Sequence, residues 1–196
     1  MKKREILIDE ETLQERIKQL GKQISEDYKD QDLTLICILK GAMFFFTDLA
    51  KNITIDANIE VMKISSYIGE NSSGKVNIKL DIEKSIQGKN ILIVEDIIDS
   101  GRTMKFLLEY LSLKNPKSIK ICTLLDKKER REIDNIDINY VGFKITNRFV
   151  IGYGLDLDEK YRTLREINCI IDDDDNEEKK LQNDILELKK QLKSHK

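Results

Sequence analysis

Residues 91–104 read ILIVEDIIDSGRTM. The run begins like the interior of a sheet: Ile91, Leu92, Ile93 and Val94 are apolar at every position, as in a strand covered on both faces. Glu95 and Asp96 then interrupt it, Ile97 and Ile98 resume it, and a third acid, Asp99, closes it. Ser100, Gly101, Arg102 and Thr103 follow as a turn of mostly small residues. TMKFLLEYLSL (103–113) has helical spacing and stops at Asn115 and Pro116, and SIKICTLLD (118–126) is strand-like again. Strand, helix and strand in that order make a parallel βαβ unit, so the fold class is α/β.

The flanking sequence extends the pattern. Asp9 is placed to cap a helix whose first turn carries Glu10 and Glu11, with Leu13, Ile17, Leu20 and Ile24 at helical spacing. LTLICIL (33–39) reads as a second fully buried strand, followed by Lys40, Gly41 and a helix over AMFFFTDLAK. NIEVMKISSY (58–67) reads as a strand, SSYIGENSSGKV (65–76) as a long polar loop, and NIKLDI (77–82) as a strand returning from it. NYVGFKI and RFVIGYGLD look like two further short strands. Residues 172–196 change character: a charge run, DDDDNEEKK, precedes Leu181, Ile185, Leu188 and Leu192. That stripe is under two heptads long, so it predicts either a solvated or loosely docked helix or a self-association element. The expected division is a domain over 1–171 and an acidic linker with a helical tail over 172–196.

Composition excludes several classes. The net charge is −2 over 196 residues, which provides no general pull toward nucleic acid or membrane. No apolar run approaches the length of a membrane span, and the N-terminal MKKREILIDEE lacks the apolar core of a signal peptide. Cys37, Cys122 and Cys169 are far apart with no CxxC pair, as expected of buried, reduced thiols in a cytoplasmic protein. The one histidine, His195, sits next to last, which argues against a Ser–His or Cys–His nucleophile within the fold. A general base would therefore be a carboxylate or a lysine.

In an open parallel sheet, ligands bind beyond the C-terminal ends of the strands. Glu95 and Asp96 stand at such an end. Behind them, Gly101 permits close backbone approach, and the free N–H groups of a helix start, with the hydroxyls of Ser100 and Thr103, can cradle a phosphate. Acids beside a phosphate cradle make sense when the ligand also carries hydroxyls, because paired carboxylates accept from a ribose diol or hold a hard cation that does. Neither a Walker A loop nor a GxGxxG turn is present.

An apolar strand, two acids, two apolar residues and Asp-Ser/Thr-Gly-x-Thr resembles the 5-phosphoribosyl 1-pyrophosphate (PRPP) motif of the type I phosphoribosyltransferases, and LIVEDIIDSGRT matches every position. ILKGAMFF (38–45), LLDKKERR (124–131), YVGFKI (140–145) and FVIGYGLDLDEKYR (149–162) resemble, in order and spacing, the bacterial hypoxanthine(-guanine) phosphoribosyltransferases. The resemblance covers about residues 5–171. It departs from the bacterial pattern at Thr146 and Arg165, where proline is frequent, and Ser100 stands where threonine is commoner. It implies the type I phosphoribosyltransferase fold: a central, mainly parallel sheet flanked by helices, with a small hood, to which this chain adds a C-terminal helical tail.

The resemblance also implies a reaction and its residues. A 5-phosphoribosyl group passes from PRPP to N9 of hypoxanthine or guanine, in purine salvage, with Mg²⁺ as cofactor. It assigns Glu95, Asp96, Asp99, Ser100, Gly101, Arg102 and Thr103 to PRPP, with residues 100–103 at the 5′-phosphate and Glu95 and Asp96 at the ribose hydroxyls and the metal. Asp99 would be the general base at the purine N7; read alone, it is also an ordinary helix cap. Lys127 would donate to the 6-oxo group, Phe149 would stack on the purine, the Val150 backbone would bond its edge, and Asp156 would be a second metal-side acid. Lys40, Gly41 and Arg162 would hold pyrophosphate, with a cis peptide before Lys40. Ser66 and Tyr67 would belong to a loop closing over the site. A homodimer or homotetramer is expected on the same ground, with no nucleic-acid or membrane partner. Two alternatives stay open: a xanthine-accepting homologue, and a PRPP-sensing regulator without catalysis.

Overall fold

The computed structural model describes residues 3–66, 76–133, 135–171 and 175–194. Its centre is strand β5, Asn90–Ile98, which pairs in parallel with β2, Leu33–Leu39, on one side and with β6, Ser118–Asp126, on the other. Beyond β2 lie β3, Ala57–Ser66, parallel, and β4, Val76–Leu80, antiparallel; beyond β6 lies β7, Tyr140–Lys144, parallel. The sheet order is β4-β3-β2-β5-β6-β7.

The continuous apolar runs follow from coverage of both faces. Leu35, Cys37, Leu92, Val94, Cys122 and Leu124 point into one core with helices α1, Glu10–Asp27, and α2, Met43–Asn52. Ile36, Ile38, Ile91, Ile93 and Ile121 point into a second core with Met104, Leu107 and Leu111 of α3, Arg102–Ser112. Alternate residues of each strand serve opposite cores, so Leu33–Leu39 and Ile91–Val94 are apolar on both faces apart from the buried Thr34. Asp9 caps α1 as expected, its carboxylate accepting from the Thr12 N–H at 2.8 Å. Arg16 ties α1 to β7 by donating to the carbonyls of Gly142 at 2.9 Å and Val141 at 2.6 Å.

A second, antiparallel sheet forms the hood. It joins β1, Lys3–Ile8, to β9, Ile167–Ile171, and β9 to β8, Val150–Ile151. Neither β1 nor β9 was expected from the sequence. β1 buries only its last two residues, Leu7 and Ile8, so it carries little alternation to read. The expected strand over RFVIGYGLD shrinks to two residues, because Gly152 (φ 98°), Tyr153 (φ 49°) and Gly154 (φ 100°) turn the chain in the left-handed region.

The tail forms helix α4, Asp175–Ser194, and folds back on the rest of the chain. Leu181 and Leu188 are 2% and 3% exposed within the core shared with α1 and β7. Lys3 of β1 pairs with Glu178 at 2.5 Å, and Gln19 of α1 donates to the Leu192 carbonyl at 3.4 Å. The apolar stripe is therefore spent on the chain's own core, by firm docking. Tyr67 and the rest of the segment 67–75 lie outside the described residues. Among the described residues no helix is long and apolar enough to cross a membrane.

Candidate active site

The acids of β5 sit where the strand leaves the sheet. Asp96 N–H donates to Glu95 Oε1 at 3.3 Å, and Ile97 N–H donates to Asp96 Oδ1 at 2.9 Å. Glu95 is 9% exposed. Burial pushes the Glu95 carboxyl well above the usual carboxylate range, and the neighbouring Asp96 charge adds to the rise. Burial also raises Asp96, against the opposing pull of its hydrogen bonds and the Arg162 charge. Neither carboxylate has an ion pair with a described residue. Two desolvated, adjacent oxygen donors without a cation are matched to a diol or to a hard divalent ion, so Mg²⁺ suits this donor set. Among the described residues no three acidic, histidine or cysteine side chains converge on one metal position. Asp156 instead pairs with Arg162 at 2.9 Å.

The end of β2 packs directly on this pair. The Leu39–Lys40 peptide is cis. A Cβ on Gly41 would lie 1.8 Å from Asp96 Oδ2, and one on Gly154 would lie 1.9 Å from the Gly41 carbonyl oxygen. Gly41 is thus wedged between the β5 acids and the turn after β8, and the two glycines permit this contact of β2, β5 and hood. The chain after Gly154 curls through left-handed Asp158, Glu159 and Tyr161. There Arg162 donates to the Gly154 carbonyl at 2.7 Å, and Glu159 bridges Lys40 at 2.8 Å and Arg162 at 3.3 Å.

Behind the acids, Gly101 (φ 85°) caps α3, with no side-chain cap bonded to the helix. Asp99 is therefore not the helix cap that its position allowed. A cleft of about 110 Å³ at the start of α3 is lined by Glu95, Ile97, Ile98, Asp99, Ser100, Gly101, Thr103 and Met104, and the first N–H groups of a helix lack partners within it. Arg102 turns to pair with Glu132, its Nε donating at 2.7 Å. The Ser100 carbonyl accepts from Glu132 N–H at 3.0 Å and Ile133 N–H at 3.3 Å, strapping the segment after β6 over this turn. Larger grooves of about 680 and 700 Å³ flank α4, and none of the β5 acids lines them.

Lys127 ends β6 beside Asp99. Its N–H donates to the Ile98 carbonyl at 3.0 Å, and its side chain is buried, the residue being 6% exposed. Burial lowers the Lys127 pKa, while the Asp99 charge pulls it back up. Arg130 Nε stands 3.2 Å from Asp99 Oδ1 as an ion pair without hydrogen-bond geometry, which leaves that buried oxygen without a hydrogen-bond partner. Arg131 bonds the Asp126 carboxylate and donates to the Asp99 carbonyl at 3.2 Å. Phe149, which leads into β8, is 51% exposed while Val150 is buried, and the Phe149 carbonyl accepts from Ile170 N–H at 3.1 Å.

The structure thus groups Glu95, Asp96, Asp99, Ser100, Gly101 and Thr103 around one strand end, links Gly41 to them, and sets Lys127 beside Asp99. It turns the Arg102 side chain outward and pairs Lys40 and Arg162 with acids. Ser66 closes β3, and nothing further is described of its side chain. Sequence reasoning allowed a surface ion pair of Arg162 with Glu159 or Asp158, and missed Arg130, Gly154 and the pairing of Glu159 with Lys40. Gly154 is one glycine among several, and Arg130 lies in a charge run that reads as solvated surface.

Comparison with known proteins agrees with this geometry. Residues 5–158 match the model of the phosphoribosyl transferase domain, and the chain belongs to that family. Within it, the chain is 47% identical over 172 residues to the hypoxanthine-guanine phosphoribosyltransferase of Mycobacterium avium, covering 84% of each chain. It is 40% identical over 165 residues to the hypoxanthine-guanine-xanthine phosphoribosyltransferase of Tritrichomonas foetus, covering 84% of this chain and 90% of that one. A crystal structure of a hypoxanthine phosphoribosyltransferase from Staphylococcus aureus superposes with a TM-score of 0.81 at 44% identity, covering 85% of this chain and 90% of that one.

Proposed function

We propose that this chain transfers the 5-phosphoribosyl group of PRPP to N9 of hypoxanthine, and of guanine, releasing IMP or GMP and pyrophosphate. The observation that carries the reading is the meeting at one strand end of a buried acid pair, a helix-start cradle and the Asp99–Lys127 couple.

The bond from C1′ of the ribose to pyrophosphate breaks while N9 of the purine bonds to C1′. Positive charge builds on the sugar and negative charge on the leaving group, so catalysis rests on positioning and electrostatics. Ser100, Gly101 and Thr103, with the first N–H groups of α3, hold the 5′-phosphate. Glu95 and Asp96 accept from the ribose hydroxyls and would hold Mg²⁺ with Asp156 on the pyrophosphate side. When bound, that ion would neutralise charge on the leaving oxygens. Lys40, Gly41 and Arg162 receive pyrophosphate, which requires Glu159 to release both cations. Asp99 takes the purine N7 proton as N9 attacks, a role worth roughly 10²–10⁴ in rate. Lys127 donates to the 6-oxo group, which selects against adenine because an ammonium cannot accept from an amino group. Phe149 stacks on the base and the Val150 backbone bonds its edge. Ser66, at the end of β3, is taken as a substrate contact together with Tyr67, which lies outside the described residues. The same reading takes the chain as a cytoplasmic homodimer or homotetramer.

A second reading, acceptance of xanthine as well, is favoured by the Tritrichomonas relative. The 6-oxo contact of Lys127 is common to all three bases and does not separate them. A PRPP sensor without catalysis is disfavoured, since sensing alone needs neither Asp99 nor Lys127.

The test is nucleotide formation from PRPP and Mg²⁺ with hypoxanthine, guanine, xanthine and adenine. Turnover of hypoxanthine and guanine with adenine inert supports the reading. Turnover of xanthine at a comparable rate selects the second reading, and PRPP binding without turnover of any base would sink both.

A further inference from the structure

We infer that helix α4 is a brace for the purine-binding segment, acting through Arg148, and that the affinity for the base depends on it. The inference rests on the assignment of Phe149 and Val150 to the purine. Helix α4 lies beyond residues 5–158, which match the family model.

Three consecutive attachments join α4 to the five residues that lead into Phe149. Gln191 brackets Lys144, its Oε1 accepting from the Lys144 N–H and its Nε2 donating to the Lys144 carbonyl, each at 3.0 Å. β7 is the edge strand of the six-stranded sheet, so this side-chain amide takes the place of a further strand. Thr146 Oγ1 donates to Asp184 at 3.1 Å. Arg148 then donates to Asp184 through Nε at 2.5 Å and to Glu177 at 3.2 Å, with its side chain only 10% exposed. The turn between these points is closed by Arg148 N–H on the Thr146 carbonyl at 2.8 Å.

The other side of the segment is fixed to the sheet by Ile145 N–H on the Asp126 carbonyl at 3.0 Å. Helix and sheet therefore hold residues 144–148 between them, and Phe149 emerges from this clamp half exposed. A largely buried guanidinium shared by two carboxylates of one helix fixes direction as well as position, because its fork is planar. The turn after β5 is anchored instead by the segment after β6, whose Glu132 and Ile133 N–H groups donate to the Ser100 carbonyl and whose Arg131 donates to the Asp99 carbonyl. The brace should therefore act on the base and leave PRPP alone. Arg148, Asp184 and Gln191 are positioning residues, since none is placed against substrate.

The test is Asp184→Asn in the full chain, with KM for hypoxanthine and for PRPP measured separately beside Phe149→Ala. Asp184→Asn should raise the hypoxanthine KM about tenfold, the loss of one charged hydrogen bond, and leave the PRPP KM within about twofold. Hydrogen exchange gives a readout independent of turnover: amides in 144–151 should exchange faster in Asp184→Asn, while those in 98–104 keep their wild-type rates. An unchanged hypoxanthine KM in Asp184→Asn beside a raised one in Phe149→Ala overturns the brace alone. Equal rises in both KM values, or faster exchange in both segments, reduce α4 to general stability and overturn it too. An unchanged hypoxanthine KM in Phe149→Ala overturns the purine-site assignment and the inference with it.

Discussion

Gly41 lies against Asp96 so closely that a Cβ there would stand 1.8 Å from the carboxylate oxygen Oδ2. The end of β2 and the end of β5 are thus one object: the residue after Lys40 is the wall on which an acid of the PRPP motif rests. Gly41→Ala should displace Asp96, lower stability by about 1–3 kcal/mol and weaken PRPP binding. Urea unfolding and PRPP titration would check both, and a variant with wild-type PRPP affinity would contradict the arrangement.

Asp99 lines the cleft at the start of α3 and is assigned to proton transfer, while Ser100, Gly101 and Thr103 are assigned to the 5′-phosphate. Asp99→Asn should therefore lower kcat by roughly 10²–10⁴ with PRPP affinity kept within a few-fold. Rapid-quench turnover beside equilibrium PRPP binding separates the two. A parallel collapse of both would make Asp99 part of the cradle.

Glu159 bridges Lys40 and Arg162, the two cations assigned to pyrophosphate. Glu159→Gln should free Lys40, loosen Arg162, which keeps Asp156 at 2.9 Å, and lower the KM for PRPP by at most about fivefold for such an exposed pair. The gain should shrink at high salt, where the wild-type pair is already screened. A rise in KM would mean that Glu159 positions the cations and does not compete for them.

Burial holds the Lys127 ammonium below the usual lysine pKa. Between that lowered value and the unfolded one near 10.4, the unfolded chain binds the extra proton, so this residue makes stability rise with pH. Below the window, Lys127 is charged in both states and its burial opposes folding. Lys127→Met should therefore stabilise the ligand-free protein at pH 7 more than at pH 10, while hypoxanthine turnover falls about 10–100-fold. Thermal melts at the two pH values would show it; equal gains at both would refute the buried charge as the cause.

All three thiols should be inert in the native protein. Burial, with the nearby Glu95 and Asp96 charges, pushes Cys37 up to about 12, and burial raises Cys122 and Cys169 as well. At pH 8, Cys37 would carry about 10³ less thiolate than a free cysteine. A disulfide reagent should titrate no thiol before denaturant is added and three per chain afterwards; fast reaction of any one in the native state would contradict its burial.

The β5–α3–β6 unit and its acids were legible because every cue lies within forty residues: runs apolar on both faces, a helical repeat and one dense motif. The hood was not. β1 and β9 become strands only by pairing Lys3 with Ile171 and Glu5 with Cys169, and neither segment carries a periodic pattern of its own. The tail was legible by half: Leu181 and Leu188 marked an apolar stripe, yet a stripe does not name its partner, and the partner is this chain's own core. Arg148 gave no signal at all, being one basic residue whose meaning depends on Asp184 and Glu177. Asp156, placed with the metal-side acids by the resemblance, pairs with Arg162 in the ligand-free fold, a contact that the sequence alone does not announce.

The pairing of β1 with β9 has a consequence for the order of assembly. During synthesis the central sheet through β7 can fold while the last residues are still in the ribosome. Strand β1 must wait unpaired at the N-terminus until β9 emerges, and β8 with its aromatic neighbour Phe149 must wait for the same event. A nascent or prematurely terminated chain would thus own the phosphate cradle before it owned a floor for the base, a half-site able to sequester PRPP without spending it.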